Sequence, residues 1–480
     1  MATENTHYGA ERIGEILLSC KRIHFIGIGG INMSSLALIT QKRGYLVSGS
    51  DRTETALTRR LEKSGISVFY SHEAEQVETA DAVVYTVAIS PNNPEYLRAG
   101  ERGIPRFSRA DYLGYLMTGY QRRIGIAGMH GKSSCTSMCA QVFLEAKREP
   151  TVLSGAELPL MDGAYHVGGE ENFIFEACEY MDSFLDFNPT VAVVLNIEMD
   201  HVDYFHSMEQ IRDSYARYLA RTSVEGVAVI NGDDEEVLRM AKDFEGTVIT
   251  FGIENEDADF CARHLRTHAG RYTFELYREK DLLCEVSLSV TGRHHVYNAL
   301  ACAAVSTLAG LTPQEISEGL AHFMGATRRM EFKGTLKGAP VYDDYGHHPT
   351  EIQATLKGAR GLTKEGGRLF CLYQPHTYSR TRALFDQSVS ALSVADQTLL
   401  VDIYPARETD TLGVHAGQLA AALGDRGLYA PSLSAAADEL CRRVRQGDAV
   451  VVMGAGDVYK IFDTLRDRLT QGEGSEHERM

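Results

Sequence analysis

The chain has 480 residues, of which 44% are hydrophobic, so it is long enough for two to four domains with buried cores. Its formal net charge is −17, which argues against nucleic acid or an anionic membrane as a partner. No apolar run reaches the roughly 18 residues that a membrane span needs, and the stretch MATENTHYGAERIGEILLSCKR lacks the apolar region of a secretory signal. Nine scattered cysteines without a C-x-x-C pair indicate reduced thiols, so we expect a cytoplasmic protein without membrane insertion.

Short Val- and Ile-rich runs alternate with helical patterns along most of the chain, which is typical of α/β units around parallel sheets. The first block contains the runs RIHFIGIGG, YLVSGSD, ISVFY and DAVVYTVA. The second opens with RIGIAG, continues through FIFEACE, TVAVVLNIEMDH, GVAVINGDD and TVITFG, and ends in a β-rich piece and a helix. The third begins around GATRRMEFKG and contains APVYDDYG, RLFCLYQP, QTLLVDIYP and AVVVMGAG. The sequence therefore predicts three α/β blocks.

A first glycine turn, GIGGIN, follows the first strand and resembles the dinucleotide pattern G-x-G-x-x-G, although Asn32 replaces the last glycine. Asp51 ends the following strand, at about the distance where a ribose-binding acid stands. One interpretation is a plain tight turn. The other is a diphosphate bound at a helix N-terminus by Gly27, Gly29 and Gly30, with Asp51 on a ribose or base. Both NAD and a UDP-sugar are compatible with this second interpretation.

A second glycine turn lies in GIAGMHGKSSCTSM, where Ile126 stands in place of the first P-loop glycine. Gly128 and Gly131 allow consecutive backbone N–H groups to face one anion. Lys132 supplies a charge for the β- and γ-phosphates, and Ser133 supplies a hydroxyl for Mg²⁺. The pattern predicts a nucleotide site, and the alternative is a strand–turn–helix with an incidental lysine.

Acidic residues follow two later strands, where open α/β sheets bind ligands. FIFEACEYMDSFLDF ends its strand with Glu176 and Glu179. A second strand end, in VVLNIEMDHVDYF, carries a polar cluster that comprises Asn196, Glu198, Asp200, His201 and Asp203. Because Mg²⁺ prefers oxygen ligands, these acids are candidates to complete a magnesium site.

With these motifs in one order, the chain resembles the Mur ligases of peptidoglycan synthesis. The match extends from about residue 21 to 460 and includes HFIGIGGINMS, GMHGKSS, EACEYMDSFL, NIEMDHVDYF, GRHHVYNALA, RRMEFKG, DDYGHHPTE, QPHTYSRTRALF and VMGAGDV. The resemblance implies an α/β chain of three domains: an N-terminal Rossmann-like domain for a UDP-sugar (1–120), a central P-loop ATPase-like domain for ATP (121–325) and a C-terminal Rossmann-like domain for the amino acid (326–480).

The motifs DDYGHHPTE and PHTYSRTR are typical of the family member that adds the first residue of the peptide. The resemblance thus implies ATP-dependent ligation of L-alanine to UDP-N-acetylmuramate through an acyl phosphate, with ATP and Mg²⁺ as cofactors, in a cytoplasmic monomer or homodimer.

Residue roles follow from the same resemblance. The implied catalytic residues are Lys132, His201, His347, His376 and Arg380. The implied ATP-binding residues are Gly128, Met129, His130, Gly131, Lys132, Ser133, Ser134, His295, Arg328 and Asp344, with Arg329 and Asp343 as alternatives to the last two. The implied UDP-sugar-binding residues are Gly27, Gly29, Gly30 and Asp51, and the implied metal ligands are Ser133, Glu176 and His201.

Several positions depart from the family pattern. Ser133 replaces a threonine but keeps the hydroxyl. Cys178 and Met181 replace acids, His295 replaces an adenine-binding asparagine, and Thr377 replaces an arginine near the amino acid. Three alternative functions stay open: an NAD-dependent oxidoreductase, a non-enzymatic P-loop module, and another amide ligase of the same family.

Overall fold

The computed structural model describes residues 3–161, 163–201, 204–223, 225–406 and 408–470. They form two compact units, which comprise the described residues of Met1–Ile197 with Arg212–Thr250, and of Glu198–Ile211 with Phe251–Met480. Asp203, from the predicted polar cluster, lies outside the described residues.

The first unit begins with a five-stranded parallel sheet. Its strands are β1 (Arg22–Ile26), β2 (Leu46–Ser50), β3 (Ser67–Phe69), β4 (Ala82–Tyr85) and β5 (Arg106–Ser108). The helices are α1 (Ala10–Leu17), α2 (Ile31–Lys42), α3 (Ala56–Lys63), α4 (Pro94–Glu101) and α5 (Arg109–Met117). The strand order is β3-β2-β1-β4-β5. Ile26 lies beside Tyr85, and Tyr85 lies beside Ser108, so the segments after β1, β4 and β5 leave the sheet at one edge.

The second sheet of this unit contains the second glycine turn. Six consecutive strands of this ten-stranded sheet lie in the first unit: β6 (Arg122–Ala127), β7 (Thr151–Leu158), β8 (Gly163–His166), β9 (Asn172–Glu176), β10 (Val191–Val194) and β11 (Val227–Asn231), in the order β11-β10-β6-β9-β7-β8. The helices here are α6 (Lys132–Glu145), α7 (Met208–Ala220) and α8 (Glu235–Ala241). The chain passes between the two units after Ile197, within α7 and within β12 (Thr247–Gly252). All strand pairs among β11, β10, β6, β9 and β7 are parallel, so their carboxyl ends share one edge.

The second unit contains an antiparallel ribbon and a third sheet. The ribbon consists of β13 (Phe260–His268), β14 (Arg271–Arg278) and β15 (Asp281–Thr291), followed by α9 (His294–Leu308) and α10 (Pro313–His322). The strands of the third sheet are β16 (Glu331–Leu336), β17 (Ala339–Asp344), β18 (Leu369–Tyr373), β19 (Gln397–Leu400), β20 (Gly427–Tyr429), β21 (Ala449–Met453) and β22 (Leu469–Thr470). Its helices are α11 (Pro349–Ala359), α12 (Tyr378–Ala383), α13 (Phe385–Leu392), α14 (Ala416–Ala422), α15 (Leu433–Arg443) and α16 (Ile461–Leu465). The strand order is β20-β19-β18-β21-β17-β16-β22.

Side chains of β18 show why the third sheet is covered on both faces. Leu369, Cys371 and Tyr373 belong to one buried cluster, and Phe370 and Leu372 belong to another. A strand that buries both sets of alternating side chains reads as a continuous apolar run, and such a run is typical of parallel strands between two layers of helices. The predicted α/β class is confirmed.

Side-chain hydrogen bonds to backbone amides cap the N-termini of several helices. Asn93 accepts a hydrogen bond from the amide of Tyr96 at 3.0 Å, and Pro94 follows it as the first helical residue of α4. Thr312 and Glu315 form a reciprocal capping box at the start of α10. The two glycine turns lack such side-chain caps, so the amides at the starts of α2 and α6 have no side-chain acceptor at the cap position.

Candidate active site

The first glycine turn connects β1 to α2 and is tied to the end of β2. Gly27 has a φ of 81°, and a Cβ there would lie 2.6 Å from Cγ2 of Thr86, so the position requires glycine. The amide of Gly29 donates to Oδ2 of Asp51 at 2.9 Å, and Gly30 is the N-cap of α2. Asp51 therefore positions the turn from the neighbouring strand end, and its contact with a ribose or base stays a prediction.

The second glycine turn, between β6 and α6, is held by Asn196 at the end of β10. Gly128 and Gly131 have φ values of 147° and 81°. The amide of His130 donates to Oδ1 of Asn196 at 2.9 Å, and the Asn196 side chain donates to the carbonyl of His130 at 3.0 Å. The amide of Met129 donates to the Asn196 carbonyl at 3.3 Å. A neighbouring strand end thus fixes the loop that leads into the N-terminus of a 14-residue helix, where backbone amides favour a phosphate.

The side chain of Lys132 contacts the backbone of this turn. Its Nζ donates to the carbonyls of Gly128 at 2.5 Å and Met129 at 3.2 Å, and to Glu179 at 3.0 Å. Burial would lower the pKa of Lys132, but the carboxylate of Glu179 outweighs it and the pKa is raised. The side chain is therefore a charged ammonium at the turn.

Ser133 and Glu176 converge beside Gly155. In the sheet, Glu176 at the end of β9 lies next to Ile126 of β6, so it stands directly beside the second turn. A Cβ on Gly155 would lie 2.9 Å from Oε2 of Glu176 and 3.2 Å from Oγ of Ser133. The amide of Gly155 and the hydroxyl of Ser154 both donate to Glu176 Oε1, which fixes the carboxylate. These oxygens form the donor set that Mg²⁺ prefers, beside a residue without a side chain. Ser134, the next residue of α6, is buried.

His347 and His376 lie together in the second unit, with ring centroids 5.5 Å apart. Burial lowers the pKa of His347 to about 3 and that of His376 to about 4, so both rings are neutral near pH 7. Arg380 Nη1 lies 3.2 Å from His376 Nδ1. Because arginine only donates, Nδ1 of His376 accepts and its Nε2 carries the proton. His347 Nδ1 lies 3.3 Å from the carbonyl of Tyr345. That carbonyl only accepts, so Nε2 of His347 is left as the acceptor.

Asp200 binds Arg380 within the same unit. Arg380 donates to Asp200 Oδ1 from Nε at 3.0 Å and from Nη2 at 2.9 Å. The amide of His201 donates to the same oxygen at 2.6 Å, with His201 at a φ of 48°. Thr377, at a φ of 61°, is the N-cap of α12, the helix that carries Arg380. Asp200 thus positions Arg380 and the backbone of His201, while the predicted metal contact of His201 stays a prediction.

Asp344 is buried at the end of β17, and its carboxylate is engaged by backbone. Its Oδ1 accepts from the amide of Gly346 at 2.9 Å, and its Oδ2 accepts from the amide of Met330 at 3.0 Å. Burial raises the pKa of Asp344 and also that of Asp343, the latter to about 6. The proposed ribose contact has to compete with these two backbone bonds.

Arg328 holds the loop after β21. It donates to the carbonyls of Gly454 at 2.5 Å and Gly456 at 3.4 Å, and its Nε lies 3.4 Å from Asp343. Its guanidinium also lies 4.6 Å from the ring centroid of Tyr459. The structure therefore gives Arg328 loop-stabilising contacts, and its predicted phosphate contact stays a prediction.

His295 is buried in the first turn of α9. Its ring centroid lies 4.1 Å from that of His294, and burial lowers the pKa of both residues. The Asn298 side chain lies 3.5 Å from His295 Nδ1. A neutral imidazole at this position keeps a hydrogen-bonding edge, as the asparagine of the family pattern would.

The structure divides the predicted site residues between the units. The first unit contains both glycine turns, Asp51, Lys132, Ser133 and Glu176, and the second contains His201, His295, Arg328, Asp344, His347, His376 and Arg380. The sequence identified Glu179 and Asp200 only as strand-end acids, without their cationic partners. Gly155 was missed altogether, because a single glycine inside a strand carries no signal of what lies beside it.

No helix among the described residues is long and apolar enough to cross a membrane. The fold is of the α/β class. Its glycine turn with a lysine, its serine and carboxylate suited to a metal ion, and its two neutral histidines beside an arginine are typical of an enzyme that uses a nucleotide.

The chain belongs to the Mur ligase family. Models of the Mur ligase family catalytic domain, the Mur ligase middle domain and the Mur ligase glutamate ligase domain match residues 22–121, 126–306 and 328–456. The predicted fold of three α/β domains is therefore confirmed, while the domain limits at residues 120 and 325 stay predictions.

Relatives extend over nearly the whole chain. The UDP-N-acetylmuramate–L-alanine ligase of Clostridium novyi is 41% identical over 444 residues, covering 92% of this chain and 96% of that one. The enzyme of the same name from Acetivibrio thermocellus is 39% identical over 453 residues, covering 93% and 96%. The crystal structure of UDP-N-acetylmuramate-alanine ligase from Thermotoga maritima matches with a TM-score of 0.77 and 25% identity, covering 93% of this chain and 98% of that one.

Proposed function

We propose that the protein ligates L-alanine to UDP-N-acetylmuramate, with conversion of ATP to ADP and phosphate, in peptidoglycan precursor synthesis. The observation that carries this conclusion is the 41% identity to a ligase of that name over 92% of the chain. A carboxylate and an ammonium do not condense in water near pH 7. ATP activates the carboxylate as an acyl phosphate, with release of ADP. The free amine, formed when the ammonium gives up a proton to water, then displaces the phosphate, which takes up the second proton of the nitrogen and leaves as hydrogen phosphate.

The first step brings two anions together, the sugar carboxylate and the γ-phosphate. Lys132, held at the turn as an ammonium, and the N-terminal amides of α6 offset this charge. Ser133 and Glu176 would hold Mg²⁺, since their oxygens converge beside Gly155. When bound, the ion supplies Lewis-acid stabilisation of phosphate oxygens. His201 is the proposed ligand of a second ion.

The second step needs an acceptor for the amine and a donor for the developing oxyanion. Nε2 of His347 accepts a hydrogen bond from the N–H of the incoming amine, and the protonated Nε2 of His376 donates a hydrogen bond to the developing oxyanion. Arg380 is the proposed partner of the amino-acid carboxylate, through the donors that Asp200 leaves available. A pKa of about 3 makes His347 a weak base, so its main contribution is to orient the amine.

The remaining contacts complete the proposal. The first glycine turn, with Asp51, binds the UDP-sugar, and the second turn with His295, Arg328 and Asp344 binds ATP. We assign the UDP-sugar to residues 1–120, ATP mainly to residues 121–325 with Arg328 and Asp344 added from the C-terminal domain, and the amino acid to residues 326–480. The expected setting is the cytoplasm, as a monomer or homodimer.

The decisive experiment measures phosphate release from ATP by the purified protein with Mg²⁺, UDP-N-acetylmuramate and, in turn, L-alanine, glycine or L-serine. Release that needs both the sugar and L-alanine, with a product heavier by one alanyl residue, is the expected result. UDP-N-acetylglucosamine is the matched control, because it lacks the reacting carboxylate. Release without the sugar would contradict the proposal, and a requirement for NAD would favour the oxidoreductase alternative.

A further inference from the structure

Arg109 is a cation that the proposed mechanism does not use. It begins α5, directly after Ser108 of β5. Ser108 is in register with Tyr85 of β4, which is in register with Ile26 at the end of β1. Arg109 therefore leaves the sheet at the same edge as the first glycine turn, two strand spacings or about 10 Å along it.

The helix that carries Arg109 also packs on the segment that follows Glu179. A Cβ on Gly114 would lie 2.1 Å from the carbonyl oxygen of Asp186, and the Asn188 side chain donates to the Gly114 carbonyl at 3.0 Å. The ionisable groups that affect the Arg109 guanidinium are the Asp186 carboxyl and the Cys178 thiol, and burial raises the pKa of that thiol so that it is neutral near pH 7. Because Glu179 is the partner of Lys132, Arg109 lies on the side of the first turn that leads to the phosphate-transfer residues.

The guanidinium is partly buried, and among the described residues it makes no hydrogen bond or ion pair. Asp186, the carboxylate that affects it, is bound to His7 at 2.6 Å. By contrast, Arg98 and Arg106 of the same sheet layer donate to Glu78 and to the Tyr96 carbonyl. Burial lowers the pKa of Arg109, yet an arginine stays protonated in a protein. A desolvated cation without a protein partner is costly unless a ligand supplies the anion.

We propose that Arg109 binds the carboxylate of the sugar substrate, the group that becomes the acyl phosphate. This inference rests on the proposed function. The diphosphate belongs at the N-terminus of α2, so the anion that lies farther along the substrate, towards Lys132, is the lactoyl carboxylate. The planar fork of arginine matches two carboxylate oxygens. Arg109 thus selects the acidic sugar and holds its reacting group.

The test compares binding of two nucleotide sugars by isothermal titration calorimetry. UDP-N-acetylmuramate carries the carboxylate, whereas UDP-N-acetylglucosamine has the same nucleotide and diphosphate without it. In Arg109→Gln, we expect roughly 10- to 100-fold weaker binding of UDP-N-acetylmuramate, the usual effect of losing hydrogen bonds to a charged group. Binding of UDP-N-acetylglucosamine and of ATP is expected to stay unchanged. Arg109→Lys keeps the charge without the fork, so an intermediate loss is expected.

Arg102→Gln is the control, since Arg102 is an exposed cation nearby that pairs with Glu78. Unchanged binding of UDP-N-acetylmuramate in Arg109→Gln would overturn the inference, and so would an equal loss for both sugars, which would place Arg109 at the diphosphate. If Arg109→Gln fails to fold, Arg109→Lys decides by the same comparison. Turnover is measured separately on the unaltered protein, so an absence of ligation would overturn the proposed function without changing what the binding comparison says about Arg109.

Discussion

Arg380 donates two hydrogen bonds to a single oxygen of Asp200, from Nε at 3.0 Å and from Nη2 at 2.9 Å. The side chains are 12% and 5% exposed, so the pair is largely removed from water. Burial would raise the pKa of Asp200, but Arg380 outweighs it and the pKa is lowered. Since Nη1 of Arg380 faces His376, the pair joins a strand-end acid to the histidines of the second unit.

Loss of Asp200 should destabilise the protein more than loss of both partners. Asp200→Ala leaves the Arg380 guanidinium buried without its carboxylate, and breaking a buried pair in this way costs about 3–5 kcal/mol. The double variant Asp200→Ala/Arg380→Ala removes both charges and should recover part of the loss. Urea unfolding of the two single variants and the double variant measures the coupling.

Asp463→Ala is the matched control for that cycle, because Asp463 pairs with Arg466 through two exposed side chains in the same unit and should matter little. Additive effects of the Asp200 and Arg380 substitutions would show that the two side chains do not interact in solution.

Glu179→Gln should lower the free energy of unfolding because Glu179 is the partner of Lys132. The carboxylate is fully buried and lies 3.0 Å from the ammonium, so its neutral replacement removes the principal counter-charge of a buried cation. We expect a loss of about 2–4 kcal/mol in the free energy of unfolding, and a lower pKa for Lys132. The second substitution Lys132→Met should restore stability while it abolishes phosphate release.

Stability measurements by urea unfolding and phosphate release from ATP separate these two effects. A Glu179→Gln protein that is as stable as the unaltered one would contradict the assignment of Glu179 as the partner that keeps Lys132 charged.

The sequence predicted the parts of the site that depend on local pattern. A strand, two glycines, Lys132 and Ser133 occur in order along one short segment, and the structure places them in a strand–turn–helix. The acids were located at strand ends because parallel strands end at one edge. These features need only periodicity and spacing, which a single sequence carries.

Pairings across long separations could not be predicted in the same way. Asp200 and Arg380 are 180 positions apart, and nothing in either motif indicates the other. The role of Gly155 depends on the sheet register that sets β7 beside β9, with Leu153 opposite Phe175. The lack of a partner for Arg109 among the described residues is equally a property of packing, since Cys178 and Asp186, which affect it, lie in a much later segment of the chain.

Gly155→Ala should damage the proposed metal site without unfolding the protein. The new Cβ would lie 2.9 Å from Glu176 and 3.2 Å from Ser133, so one of the two side chains must move. Displacements of about 1 Å in a catalytic group cost on the order of 100-fold in rate. We therefore expect a loss of roughly 10- to 100-fold in kcat/KM for ATP and a higher Mg²⁺ requirement.

Gly169→Ala is the control for this substitution, since its Cβ would meet nothing closer than 3.6 Å, at the carbonyl of Glu149. Equal activity of the two alanine variants over a Mg²⁺ titration would contradict the placement of the ion between Ser133 and Glu176.

Lowering the pH should reduce the free energy of unfolding because of His347 and His376. Burial lowers the pKa of His347 to about 3 and that of His376 to about 4, whereas an unfolded histidine titrates near 6.5. Below about pH 6.5 the unfolded state takes up protons that the folded state does not, so the free energy of unfolding falls as the pH falls towards 4. Above about pH 6.5 both states carry neutral rings and these residues add no pH dependence.

In the double variant His347→Gln/His376→Gln, the free energy of unfolding, measured in urea from pH 7.5 to 4.5, should therefore fall less steeply on acidification. The slope is the informative quantity, because glutamine also changes packing at every pH. Identical slopes for the two proteins would mean that both histidines can be protonated while the protein remains folded.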